Sequence, residues 1–396
     1  MLHGTPIRAG AGAPSASPTW LGSMIADRAA AEVPTRQGRL ASMLSQRGAD
    51  AYVSDGQADV RYFTGSDDAA GVVCVTADGV TELIVAAGDA AAASASTTGT
   101  QVSPVAVGVP LEPLVAERLH ALAVRHLIVS ASGKTALALV TAIASVARVD
   151  QDRQLGYALR REKSVGEQTL LRRAASQCDA GLNSGIGALR PGVTELEVVG
   201  VIEAAIRAAG ADGTAFATNF ASGPRSVYPN ARPTGRKLAL GDLGFIDLGP
   251  LCGGYHADAA RPFVLGRPTR AQEQILDAIL RALGWVLESV RPGMRGREVY
   301  HGVVASLEAS GFAGPLPHHA GHGLGLFGAE PPWMLPESND ELRLGDFLAI
   351  EPGVYVPGIG GARVEQDIVL TATGCELLTQ CAIDPVVTAG GDARHP

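Results

Sequence analysis

This chain has no surplus of positive charge, no long apolar run and no cysteine pattern. Lys and Arg number 32 against 40 Asp and Glu, for a net charge of −8. A surface without basic excess draws neither nucleic acid nor anionic lipid, so neither is expected as a partner. No stretch of about 18 consecutive apolar residues occurs, which leaves no membrane span to expect. Nothing near the N-terminus joins a basic segment to an apolar one, so secretion has no support. Cys74, Cys178, Cys252, Cys375 and Cys381 are odd in number and scattered, without paired metal spacing. They read as ordinary thiols of a reducing compartment, and the expected location is cytoplasmic. What is present is a soluble globular composition. The 396 residues are 46% hydrophobic and 18% charged, enough for a sizeable core and more than one domain.

Residues 1–35 mix Ala, Gly, Pro, Ser and Thr without periodicity and are expected to form a flexible tail, as are residues 389–396. Leu40, Met43 and Leu44 then form a helical stripe that stops at Gly48. Ala51-Tyr52-Val53 reads as a strand. Gly71 to Thr76, a turn at Asp78-Gly79, and Val80 to Val85 read as a hairpin, because Asp-Gly suits the positive φ of a tight turn. His126 to Ser130 is a further expected strand. Alternating strands and helices predict a small α/β domain over residues 36–157, with no chemical motif in it. A second domain is expected over residues 158–388. In it Ser164-Val-Gly-Glu167, Thr194-Glu-Leu-Glu197 and Thr269-Arg-Ala-Gln272 each fit a capping box and precede an apolar helical pattern.

The second domain also echoes itself. Leu238-Ala-Leu-Gly-Asp242 followed by Ile246-Asp247-Leu-Gly249 recurs 104 residues later as Leu342-Arg-Leu-Gly-Asp346 followed by Ile350-Glu351-Pro-Gly353. Arg190-Pro-Gly192 recurs as Arg291-Pro-Gly293 at an offset of 101. Two copies of a helix, helix, strand unit are therefore expected, related by an approximate twofold. Asp247 and Glu351 are equivalent in this repeat, so each half offers a carboxylate to a shared centre.

An odd separation of 11 residues would put Asp247 and Asp258 on opposite faces of one straight strand, whereas a hairpin can bring them together. Arg363, Glu365 and Asp367 alternate and are expected on one strand face. Between the halves lies His318-His319-Ala-Gly-His322-Gly-Leu-Gly325, whose glycines let backbone pass close to a site. Four buried carboxylates without partners are prohibitive, whereas two divalent cations balance four charges. Carboxylates with one imidazole suit manganese, cobalt, iron or zinc, and paired metals activate a water and polarise a carbonyl. The competing reading makes these acids solvated strand ends or isolated ion-pair partners. Against it, each acid interrupts an otherwise apolar strand.

Gly241-Asp-Leu-Gly-Phe-Ile-Asp247-Leu-Gly249, Tyr255-His-Ala-Asp258-Ala-Ala-Arg261, Gly321-His322-Gly-Leu-Gly325, Ile350-Glu351-Pro-Gly-Val-Tyr355 and Gly361-Ala-Arg363-Val-Glu365-Gln-Asp367 together resemble the pita-bread metallopeptidase family. That family includes aminopeptidase P, prolidase, methionine aminopeptidase and creatinase. The preceding stretch, from Arg39-Leu40 through Ala58-Asp-Val-Arg-Tyr62-Phe-Thr-Gly65, resembles the N-terminal domain of the aminopeptidase P, prolidase and creatinase branch. The resemblance implies an α/β (α+β) fold, with a smaller creatinase-type domain ahead of a pita-bread catalytic domain of two pseudo-twofold-related halves. It implies that Asp247, Asp258, His322, Glu351 and Glu365 ligate two divalent metal ions, manganese first among the candidates, and that the chain forms a homodimer. Glu351 would carry protons, His318 would contact substrate, and Tyr355 and Arg363 would move protons or hold substrate. Arg363 has a second reading as the partner of Asp367. His319 has no family role and is expected to be structural. His256 shares strand parity with Asp258, and is expected either near the site or as a satisfied structural histidine.

Two departures bear on the substrate. Family peptidases usually carry histidines against the scissile amide where this chain has Asn230 and Ala329, and Ala260 replaces a hydroxyl residue before Arg261. Asn still donates a hydrogen bond and Ala does not; losing such a donor costs roughly 10²–10³ in rate. The function expected is a dinuclear-metal-dependent hydrolase resembling Xaa-Pro aminopeptidase or dipeptidase, acting on a small peptide held by Asn230, His318 and Arg363. An alternative is a relative acting on a small nonpeptide or modified amino acid, as amidohydrolase or lyase. A binding protein on a dead scaffold is opposed by the complete ligand set.

Overall fold

The computed structural model describes residues 31–66, 70–131 and 136–387. The expected tails fall outside these residues except for positions 31–35, and there the chain is already helical. The first helix among the described residues, Val33–Arg47, has Pro34 in its first turn, buries Val33, Leu40 and Leu44, and ends at Gly48 with φ 63°. It thus begins ahead of the boundary at residue 36, because Val33 packs into the core.

The N-terminal domain is a mixed sheet of β1 (Ala51–Ser54), β2 (Gly71–Thr76), β3 (Thr81–Ala86), β4 (Gln101–Val105), β5 (His126–Ser130) and β6 (Arg148–Gln151). Their spatial order is β4-β3-β2-β1-β5-β6. The turn between β2 and β3 places Gly79 at φ 92°, as the Asp-Gly pair requires. Every residue of β1 is buried, which fits a central strand covered on both faces.

The second domain has two halves. The first contains β7 (Gly213–Thr214), β8 (Asn219–Ser222), β9 (Leu243–Leu248), β10 (Pro250–Cys252), β11 (Tyr255–His256) and β12 (Ala259–Leu265). The second contains β13 (Gly321–Gly323), β14 (Glu330–Met334), β15 (Phe347–Ile350), β16 (Gly353–Val356), β17 (Gly360–Arg363), β18 (Gln366–Leu370) and β19 (Cys375–Leu377), and β20 (Val386–Val387) returns to the first. The main sheets run β20-β12-β9-β8 and β14-β13-β15-β18-β19. Helices Val165–Ala188 and Glu195–Ala208 precede the first half, and Arg270–Ser289 and Gly296–Ala309 the second. All three expected capping boxes are formed, at Ser164, Thr194 and Thr269.

The sequence echo is a backbone echo. Gly192 N–H donates to Leu238 O at 2.8 Å, and Gly293 N–H donates to Leu342 O at 2.8 Å. Gly241 and Gly345 turn at φ 84° and 83°. Matching glycines therefore close matching loops, and β9 and β15 emerge equivalently with Asp247 and Glu351 at their ends. Leu243 and Val264 from one half and Leu348 and Ile350 from the other share one apolar cluster. Each such burial stabilises by about 1.5–3 kcal/mol, which fixes both carboxylate-bearing strands against a common core.

The spacing of β8 and β9 is tight. A Cβ on Gly244 would lie 2.2 Å from the Ala221 carbonyl oxygen and 2.6 Å from the Phe263 ring. Backbone cannot step aside as a side chain can, so Gly244→Ala is expected to lower stability by about 1–3 kcal/mol in chemical denaturation. An unchanged midpoint would mean these strands are not spaced this closely. Among the described residues no helix is long and apolar enough to cross a membrane, and all five cysteines are unpaired thiols.

Candidate active site

β9 and β12 run antiparallel with Asp247 opposite Ala260. Asp258, just before β12, thereby comes beside Asp247, so the hairpin resolves their odd spacing. In the other half, His322 in β13 lies opposite Ala349 of β15, and Glu351 follows directly on that strand. The segment after it departs from the expected single strand. β17 ends at Arg363 and β18 begins at Gln366, so Val364-Glu365 is a break in the strand. Arg363 and Glu365 both reach the central cavity. Asp367 lies behind it and accepts the Asp258 backbone N–H at 3.1 Å.

The pairing of Arg363 with Asp367 is corrected accordingly. Arg363 Nη1 donates to Asp247 Oδ2 at 2.5 Å and its Nε donates to the Tyr355 hydroxyl at 3.1 Å. Loss of strand parity at the break turns the guanidinium toward the first half.

The cavity measures about 330 Å³ and its wall holds Asp247, Asp258, His322, Glu351 and Glu365 together. Asn230, Ala329, His318 and Arg363 share that wall. Tyr355 is one step back, bonded to both Arg363 and His318. Phe216, Asn219 and His319 also line the cavity, and the sequence reading gave them no part. Asn219 Nδ2 donates to Asp247 Oδ2 at 3.3 Å; its place in β8, directly opposite Asp247, is a register fact that spacing along the chain does not carry. His256 does not reach this wall. It lines an adjoining cavity between the domains, where burial pushes its imidazole down to about 4.

Hydrogen bonds settle two imidazole tautomers. Arg363 Nε is a donor, so the Tyr355 hydroxyl accepts from it and gives its own proton to His318 Nε2 at 3.0 Å. His318 Nδ1 then carries the ring proton and donates to the His319 carbonyl at 2.7 Å. Burial, followed by the Arg363 charge, pushes His318 down to about 4, so the ring is neutral at pH 7. His322 Nδ1 donates to the Gly323 carbonyl at 3.0 Å, which leaves the Nε2 lone pair facing the cavity. That nitrogen lies 3.6 Å from Asp258 Oδ2 and 3.8 Å from Glu351 Oε1.

The carboxylates are electrostatically unfinished. Burial holds Asp258 and Glu365 well above the ordinary range, and the neighbouring acids add to it. Burial also raises Asp247, with Arg363 opposing. Burial would raise Glu351 too, but His319, Arg363 and His318 outweigh it and bring it to about 2. Asp247 Oδ1, Asp258 Oδ1 and Glu351 Oε1 are buried without a hydrogen-bond partner. Asp258, His322 and Glu365 bring ligand atoms within 4.8 Å of one another, as do His319, His322 and Glu351. Orphaned carboxylate oxygens and a free imidazole lone pair at this spacing are a donor set for a divalent cation.

Buried supports fix the rim. Glu195, fully buried, accepts from Ser222 Oγ at 2.6 Å and from Thr234 N at 2.9 Å, and so clamps the segment that carries Asn230. Lys163 Nζ donates to Glu330 Oε1 at 3.0 Å, anchoring the residue after Ala329. Arg261 donates to the Glu365 carbonyl at 2.7 Å and to that of Cys381 at 2.8 Å.

Residues 169–372, just over half of the chain, match the model of metallopeptidase family M24, and residues 36–150 match that of the creatinase/prolidase N-terminal domain. The Bacillus subtilis (strain 168) protein named "Putative dipeptidase YkvY" is 35% identical over 225 residues. That match covers 57% of this chain and 62% of the relative, so the chain spans under two thirds of that protein. The solved Xaa-Pro dipeptidase from Bacillus anthracis superposes with a TM-score of 0.81 at 27% identity, covering 90% of this chain and 99% of that one. Dipeptidase PepE from Mycobacterium ulcerans gives 0.80 at 28% identity, covering 91% and 99%. With the five motifs, the two halves and the gathered acids in agreement, the chain belongs to metallopeptidase family M24, its pita-bread domain preceded by a creatinase/prolidase-type N-terminal domain.

Proposed function

We propose that the chain is a hydrolase of small Xaa-Pro peptides that works with two divalent cations held by Asp247, Asp258, His322, Glu351 and Glu365. One observation carries the reading: four buried carboxylates and one imidazole converge on a single cavity, with three carboxylate oxygens orphaned. Two ions of charge +2 offset four acids, and the donor set admits manganese, cobalt, iron or zinc. When bound, the metal pair supplies an activated water and polarises the amide carbonyl.

The chain's residues supply the rest. Glu351 is ionised, so one of its oxygens accepts a proton during attack and returns it to the leaving nitrogen. Arg363 holds Asp247 in place, and the Tyr355–His318 pair builds the wall beside Glu351. Asn230 offers an amide donor to the substrate, while Ala329 offers none. A cavity of about 330 Å³ suits a dipeptide or tripeptide better than a long chain. A homodimer and a cytoplasmic location belong to the same proposal, supported by the family likeness and, for the second, by five unpaired thiols.

The test is a panel of Xaa-Pro dipeptides and tripeptides given to purified, metal-loaded protein. Release of the N-terminal residue is expected, and a chelator should abolish it. A panel left untouched by protein with about two bound ions per chain would overturn the proposal.

A further inference from the structure

We propose that His319 is an additional metal ligand, one that shifts this site toward borderline cations such as zinc and cobalt and away from manganese. The inference rests on the dinuclear reading above. His319 Nδ1 lies 2.7 Å from Glu351 Oε1, and His322 Nε2 lies 3.8 Å from the same oxygen. The ligand atoms of His319, His322 and Glu351 all lie within 4.8 Å of one another. Atoms bound at about 2.0–2.2 Å to one ion stand roughly 3–4 Å apart, so a single cation fits among these three once the 2.7 Å contact opens by a few tenths of an ångström.

The contact has the length of an ion pair without the direction of a hydrogen bond. His319 Nδ1 and Glu351 Oε1 are both buried and face each other, yet neither atom has a hydrogen-bond partner. A buried ring nitrogen and a buried carboxylate oxygen, both left without a directed hydrogen bond, form an arrangement that a cation completes. The ring is also held in place. It packs edge-on against His322 with centroids 5.2 Å apart and tilts against Trp333 at 5.4 Å. The side chain as a whole is 28% exposed while Nδ1 is buried, so the inward atom is the donor one.

The consequence is chemical selectivity. With His322 alone, the ion beside Glu351 would have one imidazole among oxygen donors; His319 makes two. Imidazole favours zinc, cobalt and iron, whereas an oxygen-rich shell suits manganese.

The experiment uses the full chain, stripped of metal, with its His319→Ala and His319→Gln variants. Each is titrated with zinc, cobalt(II) and manganese against a chromophoric chelator. Wild type is expected to bind about two ions per chain. Both variants should lose roughly 10-fold or more in zinc and cobalt affinity and change little for manganese, so the zinc-to-manganese ratio falls. Glutamine can still donate a hydrogen bond to Glu351 but has no ring nitrogen. A wild-type ratio in His319→Gln would therefore make His319 a positioning residue only and overturn the proposal. X-ray absorption of the zinc-loaded wild type needs no variant: two imidazoles per pair of ions are expected, and one per pair overturns it. A wild type that binds no metal at all would remove the dinuclear reading itself, and this proposal with it.

Discussion

Changing Glu365 to glutamine is expected to abolish hydrolysis and yet make the metal-free protein more stable. Glu365 is 1% exposed, and burial, reinforced by Asp258, Glu351 and Asp247, holds its carboxyl well above the usual value of 4.5. A raised folded-state value means the native chain binds a proton that the unfolded chain releases. The resulting stability is present below pH 4.5 and is lost as pH rises through the folded-state value. At pH 8, metal-free wild type therefore folds against the cost of either burying that charge or keeping the carboxyl protonated. Glutamine keeps the shape, removes the charge and can donate to a neighbouring acid. Because a buried ion is penalised by several kcal/mol, the chelated variant should be more stable by about 2 kcal/mol or more at pH 8. Its stability should also fall less steeply between pH 5 and 8. Metal reverses the order, since wild type gains binding free energy that the variant has forfeited. Cations supply several kcal/mol of transition-state stabilisation, so losing one of their ligands should slow turnover by about 10³-fold or more. Denaturant melts at the two pH values, with and without metal, check the first half; peptide turnover checks the second. A destabilised chelated variant at pH 8 would mean that these acids do not repel one another as a set awaiting cations.

The parts of this site that were readable in the sequence are the parts set by local or repeated chemistry. Capping boxes at Ser164, Thr194 and Thr269 need only four residues each, and all three formed. The 101- and 104-residue echoes announced two halves, because each copy needs glycines at the same turns. Asp247 and Asp258 were legible as a pair since the glycine-rich turn segment between them allows the antiparallel return that β9 and β12 make. What escaped the sequence depends on breaks and on neighbours from other elements. Alternation along 363–367 suggested one strand, and the break at Val364-Glu365 redirected Arg363 from Asp367 to Asp247. His319 looked structural because the family resemblance gives its position no role. The chain is not a regular strand before Gly321, so both rings reach the cavity wall. Glu195 looked like one acidic residue of a helix start; its role as a clamp needs Ser222 and Thr234, far away in sequence.

Removing Arg363 should produce the largest loss of stability at the site, and the loss should depend on whether metal is bound. Arg363 is 4% exposed and, among the described residues, is the only Lys or Arg on the cavity wall. It bonds to Asp247, supports the Tyr355 hydroxyl and lies 3.7 Å from Glu351 Oε2. Breaking one side of a buried charge pair costs about 3–5 kcal/mol, because the other charge stays behind. Arg363→Ala should therefore lower the stability of the chelated protein by that amount at pH 7. Bound cations take over the charge balance, which leaves only the lost packing and the Tyr355 hydrogen bond, about 1–2 kcal/mol. The difference between the two losses, about 2 kcal/mol or more, is a coupling free energy between the guanidinium and the metals. Arg363→Lys should recover little of it, since one ammonium cannot reproduce the fork that reaches both Asp247 and Tyr355. The sign of the pH effect follows: without Arg363 the Asp247 carboxyl rises further above 3.8, so the chelated variant should lose additional stability as pH climbs above that value. Equal losses with and without metal would place the contribution of Arg363 in packing alone, and would detach it from the charge balance on which the two-cation reading depends.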